Sequence, residues 1–306
     1  MKKISIVIPV HNESENIKEL LVEIDSLKLD AEIIVIDDGS TDQTIPMINY
    51  FNANHDNKAK IIKLRRNYGQ TAALSAGFRA AEGEYVITMD GDRQNDPKDI
   101  LKMIEKLEEG FDCVSGWRKH RKDPLSKKIP SRLSSWLQKR FLKSTINDSG
   151  CALKAYKKEC LKDLSLYGEN HRYIIQILAL KGFKVVEVIV NHRPRTAGQT
   201  KYDWKRLPKG FLDMLFLSYW GNYNARPLHF FGTLGLMQYA LAGLIFVEQI
   251  IKAFFIVGRL NVGTLLLFSV LLILNGSLFI CIGFLGEMLI KIFYDNKDTY
   301  ETEESK

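Results

Sequence analysis

The chain has 306 residues, 46% hydrophobic and 26% charged, which excludes a disordered or fibrous protein and leaves room for one large domain with extra elements or two modest domains. Its formal net charge of +7 suits nucleic acid or anionic lipid. Two segments decide between them: Phe230–Val247 has 18 residues without a formal charge and Leu260–Gly286 has 27, each enough to cross a hydrocarbon core of about 30 Å as a helix. Lipid is therefore the expected partner, and nucleic acid is not.

Lys2 and Lys3 precede an apolar run, Ile4 to Val10. It is too short for a signal peptide, and His11-Asn12-Glu13 interrupts it without a small-residue cleavage site, so a first β-strand over Lys3–Val10 is expected. Ile17, Leu20, Leu21, Ile24 and Leu27 then recur at helical spacing, with Ser14 as the expected N-cap. Glu32–Ile36 reads as a strand, about Gln43–Asn52 as a helix, Lys60–Arg65 as a strand, and Tyr68–Ala81 as a helix stopped by Gly83. Tyr85–Met89 is a fourth strand, Pro97–Leu107 a helix with Pro in its first turn, and Asp112–Ser115 a fifth strand. Such alternation implies a mostly parallel sheet covered by helices, an α/β domain.

From Asp123 to Lys143 the pattern changes. Ile129, Leu133, Trp136, Leu137 and Phe141 fall on one helical stripe, with Lys127, Lys128, Arg132, Lys139, Arg140 and Lys143 around it. A basic amphipathic helix over about 124–143 with Trp and Phe on its apolar face suits a membrane surface, though a solvated basic face over a core-packed stripe gives the same pattern. Residues 204–228, with Phe211, Leu215, Tyr219 and Trp220, form a second candidate for the interface. The expected division is a catalytic domain over 1–203, a juxtamembrane segment over 204–228, two spans at about 229–251 and 261–287 within 229–290, and a tail over 291–306. Lys205, Arg206, Lys209 and Arg226 before the first span and Lys291 and Lys297 after the second outnumber Lys252 and Arg259 between them, which places the N-domain in the cytosol and the chain in the inner (plasma) membrane. Asn275 and Gly276 in the second span point to close helix packing, between subunits of a homo-oligomer. Cys113, Cys151, Cys160 and Cys281 show no paired spacing, so neither a disulfide framework nor a zinc site is expected.

In open α/β sheets, ligands sit beyond the carboxyl ends of the strands. Three polar clusters fall there: His11-Asn12-Glu13, Asp37-Asp38-Gly39-Ser40 and Asp90-Gly91-Asp92. Turn chemistry accounts for one such cluster. It does not favour two acidic pairs at strand ends, where like charges repel, and something cationic is expected to compensate. Asp90 and Asp92, on one face if the strand continues through them, are hard carboxylates suited to Mg²⁺ or Mn²⁺ with a substrate diphosphate completing the shell.

The set IPVHNE (8–13), VIDDGSTD (35–42), RRNYGQTAALSAG (65–77) and MDGDRQNDP (89–97) resembles family 2 glycosyltransferases of the GT-A (Rossmann-like) fold. With SGCALKAY (149–156), RTAGQTKY (195–202) and the closing pair of spans, the whole chain is similar to polyprenyl-phosphate glycosyltransferases. That resemblance implies inverting transfer of a hexose from a UDP- or GDP-sugar to undecaprenyl or dolichyl phosphate, and a membrane enzyme with a C-terminal two-helix hairpin. It implies that Pro9, His11, Glu13, Asp37 and Asp38 line the nucleotide, with Asp90 and Gln94 at its diphosphate, and that Asp90, Asp92 and Gln94 hold the metal. Arg118, Arg132, Arg195 and Lys201 are implied to grip the donor diphosphate and acceptor phosphate, and Asp148 to stand near the reacting centre. A lipid phosphate is already anionic, so positioning and charge screening matter more than a strong base. Transfer to a lipid hydroxyl would need a real base, and a non-catalytic scaffold would not need the intact acidic pair.

Overall fold

The computed structural model describes residues 3–56, 58–119, 146–162, 164–166, 168–194, 219, 223, 226–257 and 263–294. Two compact units divide the chain, Met1–Leu217 and Ser218–Lys306.

The first unit is built on a seven-stranded sheet of β1 (Ile4–Val10), β2 (Ala31–Asp37), β3 (Ala59–Lys63), β4 (Tyr85–Thr88), β5 (Cys113–Trp117), β6 (Lys154–Lys157) and β7 (Val185–Ile189). Its order is β3-β2-β1-β4-β6-β5-β7. β1, β2, β3 and β4 pair in parallel, as do β5 and β7, whereas β6 runs antiparallel between β4 and β5. Helices α1 (Ile17–Ser26), α2 (Thr44–Asn54), α3 (Gln70–Ala80), α4 (Ile100–Glu108) and α5 (Ile174–Leu180) cover it.

Both sheet faces are buried, which explains why the strands read as continuous apolar runs. Ile6, Ile8, Val35 and Ile87 point to one side and pack with Ile17 and Leu20 of α1, Ile48 and Phe51 of α2 and Met103 of α4. Val7, Ile34, Ile36 and Val86 point to the other and pack with Ala73 and Leu74 of α3 and Ile174 and Leu178 of α5. Each fully buried Ile or Leu contributes about 1.5–3 kcal/mol of transfer free energy, so this two-sided core fixes where each strand ends.

Elements differ from expectation in places. The N-cap of α1 is Asn16, not Ser14, because the Glu13 carbonyl already accepts from the amides of Asn16 and Ile17. The helix from Pro97 opens as a 3₁₀ turn over Pro97–Asp99, where the Asp96 side chain accepts from the Lys98 amide. β6, β7 and α5 have no counterpart among the predicted elements. The segment 124–143 lies outside the described residues, as do most of 204–228 and the tail from 295.

The second unit holds α6 (Pro227–Lys252), continued by a π-helical turn over Ala253–Val257, and α7 (Thr264–Tyr294). Pro227–Phe255 and Thr264–Ile292 are each 29 residues long, with mean hydropathies of 1.7 and 2.6, and are long and apolar enough to cross a membrane. Leu236, Leu244, Phe254, Leu267 and Leu274 are exposed along them, unlike the faces of a soluble core helix. The two helices meet at small residues: a Cβ on Gly235 would stand 2.7 Å from the Gly276 carbonyl oxygen. Asn275 Nδ2 donates to Gln238 Oε1 at 2.9 Å, and the Tyr239 and Ser277 hydroxyls are 2.7 Å apart. The packing expected at Asn275 and Gly276 therefore occurs between the two helices of one chain.

Candidate active site

The carboxyl ends of β1 and β2 are tied together by side chains. Asn12, at a left-handed φ of 56°, accepts from the Thr41 amide at 2.8 Å, and its own amide donates to Ser40 Oγ at 2.9 Å. The Glu13 amide donates to Thr44 Oγ1 at 2.9 Å, and Asn16 Nδ2 to Glu13 Oε2 at 2.8 Å. Asp37, fully buried, accepts from the Ser40 amide through Oδ1, whereas its Oδ2 has no hydrogen-bond partner among the described residues. A buried carboxylate oxygen without a donor is costly unless a ligand supplies one. Asp38 is engaged differently. Its two oxygens accept from the amides of Tyr68 and Gly69 at 2.7 and 2.9 Å, holding the loop that leads into α3. Gly39, at φ 71°, lies against that loop, and a Cβ there would stand 2.6 Å from the Arg66 carbonyl carbon.

β4 stops at Thr88, so Asp90 and Asp92 do not share a strand face by alternation. A turn brings them together instead. Gly91 packs on β1, where a Cβ would stand 2.7 Å from Val10 Cγ1, and Arg93 at φ 60° reverses the chain. Asp90, half-buried, accepts from Gln70 Nε2 at 2.8 Å, which links it to the start of α3. Asp92, 8% exposed, accepts from the Gln94 amide at 3.1 Å. Burial, and next the like charge of Asp92, push the Asp90 carboxyl up to about 7, against the pull of the positive charges of Lys154 and Arg118. Hard oxygen ligands of this kind fit a divalent cation. Among the described residues no three His, Cys, Asp or Glu side chains form a metal cage.

Arg118 follows β5, and Asp148 lies on the loop before β6. Arg118 Nε and Nη2 donate to Asp148 Oδ2 and Oδ1 at 2.8 and 2.9 Å, and the Arg118 amide donates to Oδ2 at 3.1 Å. Glu187 of β7 supports this loop by accepting from the amides of Asn147 and Asp148 at 2.7 and 2.9 Å. Burial disfavours the Arg118 charge, but the Asp148 hydrogen bonds outweigh it and hold the guanidinium firmly protonated.

A second ionic cluster braces the turn after Asp92. Arg93 Nη2 donates to Glu23 Oε1 at 2.7 Å, and Arg193 Nη1 to Glu23 Oε2 at 2.5 Å, while Arg193 Nη2 lies 2.9 Å from Asp96 Oδ1. The Gln94 carbonyl accepts from the Arg193 amide at 2.8 Å. This clamp ties Arg193 to the turn after Asp92 and to α1.

Of the expected site residues, Pro9, His11, Glu13, Asp37, Asp38, Asp90, Asp92, Gln94, Arg118 and Asp148 lie at the ends of β1, β2, β4 and β5 or on the loop before β6. Arg132, Arg195 and Lys201 lie outside the described residues. Gln70 and Lys154 carried no expected role. Lys154 was detectable as a lysine flanked by Ala152-Leu153 and Ala155-Tyr156, a place where a solvated charge does not belong.

The family model for glycosyl transferase family 2 matches residues 5–165, more than half of the chain. The chain belongs to that family. This glycosyltransferase is 37% identical over 300 residues to a dodecaprenyl-phosphate galacturonate synthase of Rhizobium johnstonii, covering 95% of this chain and 89% of the relative. It is 36% identical over 300 residues to an undecaprenyl-phosphate 4-deoxy-4-formamido-L-arabinose transferase of Shewanella sediminis, covering 95% and 88%. Among solved structures, the glycosyltransferase resembles glucosyl-3-phosphoglycerate synthase of Mycobacterium tuberculosis in complex with Mn²⁺ and UDP-glucose, with a TM-score of 0.55 at 20% identity over 71% of this chain and 79% of that one. Mannosyl-3-phosphoglycerate synthase of Rubrobacter xylanophilus gives 0.56 at 17% identity, over 71% and 74%. The shared fold is GT-A.

Proposed function

We propose that this glycosyltransferase moves a sugar from a nucleoside diphosphate to a polyprenyl phosphate with inversion at the anomeric carbon. The carrying observation is one edge of the sheet, where Asp90 lies in the field of Asp92, Lys154 and Arg118. Acids and bases crowded on one edge suit a reaction between two phosphate-bearing substrates. Relatives named for sugar attachment to dodecaprenyl and undecaprenyl phosphate, matched over 95% of the chain, support the acceptor class.

In this reading Asp90 and Asp92, with Gln94, hold Mg²⁺ or Mn²⁺ at the donor diphosphate. The cation, when bound, screens the charge that grows on the leaving diphosphate. Pro9, His11, Glu13 and Asp37 line the nucleotide, and the open Oδ2 of Asp37 accepts from it. Asp38 acts through the loop at Tyr68 and Gly69. An oxygen of the lipid phosphate attacks the anomeric carbon, the bond from that carbon to the diphosphate oxygen breaks, and the nucleoside diphosphate departs. The attacking oxygen is already anionic, so no proton need be removed. Asp148 therefore serves as the bidentate partner that orients Arg118 towards phosphate, together with Arg132, Arg195 and Lys201 from the segments beyond.

The two apolar helices tether the catalytic unit to the membrane that holds the lipid acceptor. Cationic flanks favour the inner membrane with the catalytic unit on the cytosolic side, over the division 1–203, 204–228, 229–290 and 291–306. The test is to incubate membranes containing the protein with labelled polyprenyl phosphate and a panel of UDP- and GDP-sugars, with and without Mn²⁺ or Mg²⁺. Lipid-linked product from one donor is expected; its absence from all, or product on a lipid hydroxyl instead, overturns the reading.

A further inference from the structure

Lys154 is the first residue of β6, and its position follows from topology. Because β6 runs against β4 and β5, its amino end lies at their carboxyl ends: Lys154 pairs with Thr88, the last residue of β4, and with Ser115 of β5. Asp90 follows Thr88 by two residues. The alternation along β6 puts Lys154 on the same side of the sheet as Tyr156, the side covered by α3 and α5. Lys154 is 5% exposed.

A lysine buried this deeply is expected to be fully paired. Lys154 is not. Its ammonium has three donors, and among the described residues one is used, to the Ser149 carbonyl at 3.2 Å. No carboxylate forms an ion pair with it among those residues, although it lies in the fields of Asp148 and Asp90. Burial pulls the ammonium towards its neutral form and the Arg118 charge adds to this, only partly offset by the carboxylates of Asp148 and Asp90. The fold thus keeps a desolvated lysine, two of its donors unused among the described residues, at the edge where Asp90 and Arg118 converge. A structural lysine would close its hydrogen bonds within the protein.

We propose that Lys154 is a catalytic residue whose ammonium donates to a phosphoryl oxygen at the reacting centre. This rests on the reading above, in which donor and acceptor both bring phosphate to this edge. The oxygen belongs either to the leaving diphosphate or to the lipid phosphate. In either place a fixed, desolvated cation is worth more than a surface one, because little water screens it.

The test compares wild type, Lys154→Met and Lys154→Arg in detergent, with turnover referred to the folded fraction. Lys154→Met keeps the length of the side chain and removes the charge. It is expected to melt no lower than wild type, since a buried charge is costly, and to lose transfer by at least 100-fold. Lys154→Arg is expected to exceed it by at least tenfold. Weaker UDP or GDP binding in Lys154→Met, measured with Mn²⁺ and without acceptor, assigns the contact to the diphosphate; a higher KM for polyprenyl phosphate with unchanged nucleotide binding assigns it to the acceptor. The proposal is overturned if Lys154→Met transfers within threefold of wild type, if it fails to fold, or if both variants lose transfer equally. Wild type that makes no lipid-linked product with any donor defeats the broader reading; wild type that turns over alongside an equally active Lys154→Met defeats this proposal alone.

Discussion

Arg118 and Asp148 are 30 residues apart in sequence and form a two-point ion pair, with Nε···Oδ2 2.8 Å and Nη2···Oδ1 2.9 Å. The pair joins the end of β5 to the loop before β6, and its side chains are only 18% and 11% exposed. An aspartate engaged in this way on both oxygens is poorly placed to take a proton. Asp148→Asn is expected to slow transfer to polyprenyl phosphate about 10–100-fold without abolishing it, by loosening Arg118. Removing one member of a buried pair costs about 3 kcal/mol. Steady-state kinetics beside urea unfolding check both effects, and a complete loss of turnover in a stable variant would make Asp148 the base.

Asp92→Asn retains an oxygen to accept from the Gln94 amide and removes a charge. Without metal, the variant is expected to melt no lower than wild type, because the like-charge burden on Asp90 falls. Melting curves should then show that Mn²⁺ raises the midpoint of wild type and not of Asp92→Asn, and transfer should fall at least 100-fold. Chelation by EDTA should abolish wild-type transfer, with added Mn²⁺ restoring it. An unchanged Mn²⁺ shift in Asp92→Asn would move the cation elsewhere.

Asp38 should act on stability before it acts on substrate. Its carboxylate satisfies two amides, and Asp38→Ala leaves both donors without an acceptor in a residue environment only 4% exposed. The expected loss is about 3 kcal/mol, read by denaturant unfolding, and Asp38→Asn should lose less because one oxygen remains. A full loss of nucleotide binding in Asp38→Asn at unchanged stability would instead put the side chain on the nucleotide.

Acid should weaken the sheet's outer edge through Asp25. The Lys58 ammonium holds its carboxyl below the usual range, with burial opposing and His55 Nδ1, 2.8 Å away, adding to the effect. A carboxyl whose folded value is depressed contributes stability above its unfolded value of about 3.9, and that contribution is lost as pH falls through the folded value. The melting-point gap between wild type and Asp25→Asn is therefore expected to be present at about pH 5 and to close below about pH 4. A gap that widens in acid would contradict the linkage. Lys58 is half exposed, so the gap should also shrink with added salt.

The parallel half of the fold was legible because strands buried on both faces leave unbroken apolar runs, as in Ile4–Val10 and Tyr85–Thr88. β6 was not, because Lys154-Ala-Tyr-Lys157 is four residues long with a charge at each end, and only its place between two central strands makes it part of the core. Asp90 and Asp92 were legible as a pair, yet the reason lay elsewhere: the turn at Gly91 and Arg93, not strand alternation, gathers them. Nothing in the spacing of the chain relates Glu23 to Arg93 and Arg193, since that clamp closes over 170 residues.

β5 ends and β6 begins at the same rim, so the stretch from Arg118 to Leu153 departs and returns at one place, as the loop of a hairpin does. The register of β5 against β6, from Cys113 opposite Tyr156 to Ser115 opposite Lys154, is thus carried by the strands' own pairing, as in two staves of a cask joined along their seam.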